Sequence, residues 1–251
     1  MSRPVRRRRR ALWWIVGVIG GLLIAAVVGV VVWSQVGVYQ AEPEPLAAVR
    51  SDPGIRITDD GAGIVLEPAI TAPTGEGLVF IPGAKVDPWA YAATLSGLVR
   101  DAGVTVVITK PWLNLAFFDL RPVTSFTDLA PDVTSWMVGG HSLGGVRACM
   151  LAADVDGLAL FASYCSADLS STGIPVLSLS GSEDGLSTPE KIDAASDLLP
   201  PDALFVEVPG ASHSSFGAYG PQDGDGTPTI SLEEMTGQIT ATVGTFAGEL
   251  D

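Results

Sequence analysis

A serine hydroxyl attacks a carbonyl carbon only when a neighbouring base takes its proton. This sequence of 251 residues holds two histidines that could serve, His141 and His213. His141 directly precedes Ser142 in "WMVGGHSLGGVRAC", and on a tight turn adjacent side chains diverge, which leaves His213 in "VPGASHSSFG" as the base. A carboxylate must then hold the imidazole in the useful tautomer and stabilise its cation. "LSLSGSEDGLS" supplies Asp184, with Glu183 as the substitute. Together Ser142, Asp184 and His213 describe acyl transfer through a covalent acyl-enzyme, with water releasing the carboxylate.

The pattern Gly140-His141-Ser142-Leu143-Gly144 fits G-x-S-x-G, in which the small residues let backbone approach closely around a strained strand-to-helix turn. Five letters alone are weak, since glycine-rich serine turns also occur in inert loops. Placement decides. The apolar run "WMVGG" precedes Ser142, and a helix over about 143–153 follows it.

The elements that must position these residues alternate along the chain. "GIRITDDGAGIVLEP" reads as two short strands joined at "DDG". "GLVFI" (77–81) and "VTVVIT" (104–109) are β-branched runs suited to a parallel sheet buried on both faces. Between them a helix opens at Asp87-Pro88 and closes at Gly103. The rhythm continues with strands at 157–163, 175–180 and 203–208, and with a helix opened by Thr188-Pro189. A final helix starts at the capping box Ser231 to Glu234. The fold class is α/β, a mostly parallel central sheet with helices on both faces, and ligands in such sheets bind beyond the carboxyl ends of the strands.

Residues 11–33 carry no charge and span about 34 Å as a helix, enough to cross a bilayer. Arginines at 3 and 6–10 place residues 1–10 as a basic cytoplasmic tail and the rest of the chain outside. A cleaved signal peptide shares the basic start, but its apolar region is shorter. Residues 34–50, with "AEPEP", read as a semi-extended linker, and the folded domain is expected over 51–251. All 28 acidic residues lie beyond residue 40 with only 8 basic ones, a balance of −20 that repels nucleic acid and anionic lipid. Cys149 and Cys165 are expected to be buried and unpaired, one in the helix after Ser142 and the other beyond the next strand.

From about residue 55 onward, "FIPGAKVDPWAYA", "GGHSLGG", "GSEDGLST" and "SHSSFGAYGPQDGD" resemble the α/β-hydrolases. The likeness is to their compact dienelactone-hydrolase-like branch, and to membrane-anchored bacterial proteins within it. The chain order Ser142, Asp184, His213 is that of this family. The resemblance implies an oxyanion hole made by the backbone N–H of Leu143 and, from the loop after "GLVFI", that of Ala84. Fold and triad follow from the resemblance, while the substrate does not; the leading expectation is a hydrolase of carboxylic or thio-esters, with a small-molecule ester as substrate and no cofactor. Peptidase or amidase chemistry on the same residues, or a catalytically silent binding module at the membrane, are the alternatives. The sequence leaves the oligomeric state open.

Only residues 164–174 separate the two strands after the nucleophile helix, too few for a helical lid, so the site should be open. Lys85 and Lys110 fall just after strands and either draw an anionic substrate or pair locally with Asp87 and Asp119. "WLNLAFFD" (112–119) either walls the acyl pocket or packs in the core. "GPQDGDG" (220–226) lacks the further ligands of a calcium loop and reads as a turn, so no metal is expected.

Overall fold

Runs of Val, Ile, Leu and Phe become central strands because both of their faces can be buried, and the alternation of their side chains divides them between two cores. The computed structural model describes residues 4–250, of which 4–11 are described by backbone alone. Residues 1–3 of the expected basic tail lie outside the described residues. Among the described residues eight strands form one sheet: β1 (Ile55–Asp59), β2 (Gly63–Pro68), β3 (Glu76–Ile81), β4 (Thr105–Thr109), β5 (Ser135–His141), β6 (Gly157–Phe161), β7 (Val176–Gly181) and β8 (Leu204–Val208). Their spatial order is β1-β2-β4-β3-β5-β6-β7-β8. The β1-β2 hairpin joins β4 antiparallel, and all pairs from β4 to β8 are parallel.

Leu78 and Phe80 of β3 enter one core with Val106, Ile108 and Phe161, while Val79 and Ile81 enter the other with Val107, Val138 and Leu160. The described residues form seven α-helices: α1 (Pro4–Gln35), α2 (Pro43–Arg50), α3 (Ala92–Arg100), α4 (Thr124–Thr127), α5 (Leu143–Cys149), α6 (Pro189–Ala194) and α7 (Leu232–Ala247). Leu95 and Leu98 of α3 and Met235, Ile239 and Val243 of α7 close the first core; Phe126 of α4 and Ala148 of α5 help close the second. The sheet thus has helices on both faces. The chain reverses direction across the sheet between β3 and β5, so their carboxyl ends form the crevice where such sheets bind ligands.

Local signals carry through at the helix ends. Asp87 accepts from the Trp89 N–H at 3.1 Å and opens a 3-10 turn, Pro88–Tyr91, that leads into α3. At α7 both bonds of the Ser231–Glu234 capping box form.

Two expectations are corrected. Residues 43–50 are a helix rather than an extended linker. Val49 is buried and Leu46 packs on the first core, so the folded unit begins at Tyr39. Pro43 at the first helical turn and a small apolar face outweigh the extended bias of "EPEP". Cys149 and Cys165 form a disulfide with their Cα atoms 5.7 Å apart. Helix α5 is only two turns long, and the segment after β6 folds back over it, so that Cys165 and Leu169 share a core with Ala148 and Cys149. Closing a loop of 16 residues contributes about 3 kcal/mol to stability.

The chain divides into two units, one up to Val38 and one from Tyr39 on. The first contains one helical stretch, Leu12–Gln35, long and apolar enough to cross a membrane.

Candidate active site

At the end of β5 the chain turns on Ser142, whose φ of 52° and ψ of −123° place a non-glycine residue in sparsely populated backbone space. Such strain persists where the surroundings over-determine it. The Ser142 N–H donates to the Phe161 carbonyl at 3.0 Å, and the Ser163 hydroxyl donates to the Ser142 carbonyl at 2.6 Å. The glycines are sterically required. A Cβ on Gly140 would lie 2.5 Å from the Gly144 carbonyl carbon, and one on Gly144 would collide with the Ile81 carbonyl oxygen. The first turn of α5 therefore sits directly against the loop after β3.

His213 begins a 3-10 turn, His213–Phe216, beyond β8. Its Nδ1 lies 2.9 Å from Asp184 Oδ2, with both side chains buried. The other carboxylate oxygen of Asp184 accepts from the backbone N–H groups of Leu186 and Ser187 at 2.8 and 2.7 Å. An acceptor on both oxygens fixes the proton on Nδ1 and leaves Nε2 as the basic nitrogen. Glu183, the substitute, is exposed and accepts from the Ser182 hydroxyl. The His213 ring lies 4.4 Å from that of His141, the residue before Ser142. Among the described residues no hydrogen bond joins the Ser142 hydroxyl to His213, a looseness common before substrate binds.

The His141 ring bonds to Tyr91 and to the His213 carbonyl and so connects the site's loops. Its Nε2 is 3.0 Å from the His213 carbonyl, which can only accept, so this nitrogen carries the proton. Its Nδ1 then accepts from the Tyr91 hydroxyl at 2.9 Å, whose oxygen accepts from the Gly83 N–H at 2.9 Å. Burial, reinforced by the proximity of His213, holds the His141 imidazole well below its ordinary pKa and keeps it neutral. Burial likewise raises the Tyr91 hydroxyl, so it remains a donor.

With the Gly83 N–H committed to Tyr91, the next N–H along the loop is that of Ala84. Among the described residues the backbone N–H groups of Ala84 and Leu143 meet no protein acceptor, and both residues are half-buried.

Asp225, a turn residue by its place in "GPQDGDG", joins the loops that carry Asp184 and His213. Its Oδ1 accepts from the N–H groups of His213 at 2.9 Å, Gly185 at 3.2 Å and Gly226 at 2.7 Å, and its Oδ2 from that of Ser214 at 2.8 Å. Desolvation raises its pKa, but the bonds from Ser214, His213, Ser212 and Gly185 outweigh it, and the net shift is downward. The signal in the sequence was a short carboxylate between two glycines, where Asp bonds to nearby backbone. Its oxygens are filled by amides, and among the described residues no cluster of metal-ligating side chains occurs.

The lysines divide. Lys110 pairs with Asp59 and with the Asp60 carbonyl rather than with Asp119, because the β1-β2 turn lies beside the end of β4. Asp119 is buried and bonded to Arg121 at 2.8 Å. Lys85 has a φ of 57°, and its backbone bonds both Asn114 and Tyr39. The segment after Lys110 is neither wholly core nor wholly wall: Leu115 and Ala116 are buried, whereas Trp112, Phe117 and Phe118 are exposed.

Among solved structures, the esterase domain of a Rhodothermus marinus protein superposes with a TM-score of 0.56 at 15% identity, covering 77% of this chain and 96% of that one. An alpha-beta serine hydrolase homologue from Coxiella burnetii superposes with a TM-score of 0.51 at 15% identity, covering 75% and 96%. No curated protein is similar enough in sequence to count as a relative. A family model described as "Alpha/beta hydrolase family" matches residues 77–237, from within β3 to within α7. Sheet order, elbow and matched span agree, and the chain belongs to the alpha/beta hydrolase family.

Proposed function

We propose that this protein is a serine hydrolase that cleaves carboxylic or thio-esters with small or exposed acyl groups. In this reading Ser142 is the nucleophile, His213 the general base and Asp184 its orienting partner. The observation that carries it is the buried His213–Asp184 hydrogen bond beside a strained serine turn. Ser142 Oγ attacks the acyl carbonyl as His213 Nε2 takes its proton. The oxyanion is bound by the N–H groups of Leu143 and Ala84, and the imidazolium returns the proton to the leaving alkoxide or thiolate. Water then repeats the sequence on the acyl-enzyme, releasing the carboxylic acid and restoring the Ser142 hydroxyl.

The same reading places the hydrolase outside the cytoplasm, tethered by an uncleaved helix over 11–33 with the arginines inside. The Cys149–Cys165 disulfide supports this, since such bonds persist in oxidising compartments. The test is a panel of aryl esters of increasing acyl length beside the matching anilides. We expect ester kcat/KM at least 10³-fold above the Ser142→Ala variant. Anilides cleaved faster than esters would make the protein an amidase, and a folded protein inert to both would make it a binding module.

A further inference from the structure

The exposed apolar side chains at the site's edge have no role in the chemistry above. Within eleven residues after β4, Trp112 is 54% exposed, Phe117 46%, Phe118 49% and Leu120 76%. The stretch is held from beneath by buried Leu115 and Ala116, and its single carboxylate, Asp119, is buried against Arg121. Its outward face therefore presents aromatic and aliphatic groups without a carboxylate, in a chain that carries a balance of −20 beyond residue 40. Clustered exposure of this kind marks an interaction surface.

Its position identifies the partner. The segment leaves the carboxyl end of β4, the edge that also carries Ser142, and the Lys85 N–H donates to the Asn114 carbonyl at 2.8 Å, tying it to the oxyanion loop. The chain enters the folded unit at the same place. Tyr39, its first residue, donates its N–H to the Lys85 carbonyl at 2.8 Å and accepts from the Asp87 N–H at 2.9 Å. Between Gln35, where the apolar helix ends, and Tyr39 stand Val36, Gly37 and Val38, a stretch that reaches roughly 14 Å when fully extended.

From these observations we infer that the loop Trp112–Leu120 docks onto the lipid surface, so that the site works on esters presented by the bilayer, amphiphiles whose acyl carbonyl lies at the interface. This rests on the anchored-hydrolase reading. The tether keeps the oxyanion loop within reach of the apolar phase, and aromatic and aliphatic side chains without charge partition there. The acidic unit is repelled by anionic headgroups, so docking is carried by apolar contact and favours zwitterionic lipid.

The test uses the full chain in phosphatidylcholine vesicles, part of whose lipid carries a shallow nitroxide quencher. Because the native cysteines are paired, Phe118→Cys takes an environment-sensitive fluorophore selectively, and Asp202→Cys, just before β8 at the opposite edge, serves as the reference. At least 2-fold quenching at 118 with none at 202 is expected. Equal quenching at both sites, or a shielded but unquenched label at 118 as a second copy would give, overturns the inference. Failure of the chain to float with vesicles removes the anchor reading and this inference with it. A second arm replaces Phe117, Phe118 and Leu120 with serine. Hydrolysis of a long-chain ester held in vesicles should fall at least 10-fold, with a water-soluble aryl ester changed less than 2-fold. An equal fall for both would make the loop a pocket wall and overturn the inference. A wild type inert to every ester would remove the hydrolase reading, while the quenching result still decides the docking.

Discussion

Two loops at the same edge of the sheet are built on opposite principles. The turn at Ser212–Phe216 is tied by side chains from distant parts of the chain: Asp225 takes the N–H groups of His213 and Ser214, Asp184 takes the His213 ring, and His141 donates to the His213 carbonyl. The loop at Trp112–Leu120 relies mainly on short-range turn bonds, such as Asn114 to Pro111 and Phe118 to Leu115, and leaves large apolar groups in solvent. The first arrangement holds the His213 backbone and ring from several sides, as a proposed proton-transfer role requires. The second leaves apolar surface open to solvent. On the reading proposed above, position and recognition would be supplied by different loops, one polar and buried, the other apolar and open.

Perturbing the polar loop should cost catalysis in proportion to how directly each group holds His213. The largest effect is expected for Asp184→Asn, which keeps the shape but favours the wrong tautomer. We predict a fall in kcat of about 10³- to 10⁴-fold with KM little changed. Steady-state kinetics decides this, and a loss below 10-fold would show that the buried pair is structural only. Next comes Asp225→Ala, which strips the acceptor from four backbone donors. We expect kcat to drop about 10- to 100-fold and stability by about 2–3 kcal/mol in urea melts. Lost stability with unchanged kcat would separate holding the fold from holding the base.

The smallest effect concerns His141. Its folded pKa is depressed by burial while the unfolded value stays near 6.5, so below that pH the unfolded state binds the extra proton. Stability from this group is complete above about pH 6.5 and is lost as pH falls, approaching about 1.4 kcal/mol per pH unit. His141→Gln should flatten the wild-type stability profile by that amount between pH 6 and 5. An unchanged slope would assign the acid sensitivity to another group.

The parts of this site that were legible in the sequence were those encoded locally. Alternating apolar runs gave the strands, glycines around Ser142 marked the turn, and the residues just past β7 and β8 offered Asp184 and His213. What was not legible depended on which distant segments the sheet order brings together. Lys110 meets Asp59 because β2 lies antiparallel beside β4, a pairing that no spacing announces. Cys149 meets Cys165 because a short helix and a returning loop share one face. Asp225 looked like an ordinary turn residue because its partners, Gly185 and His213, are contributed by other loops. The bonds of His141 to Tyr91 and the His213 carbonyl emerge only when three loops converge.

The central claim is that the Ser142 hydroxyl is the reactive group at this edge. The most direct measurement is covalent labelling of the folded protein with a fluorophosphonate, followed by mass analysis of the peptides. A single phosphonyl adduct on the Ser142 peptide, absent from Ser142→Ala, is the predicted result. A folded wild type that takes up no label, or one whose adduct survives in Ser142→Ala, would contradict it.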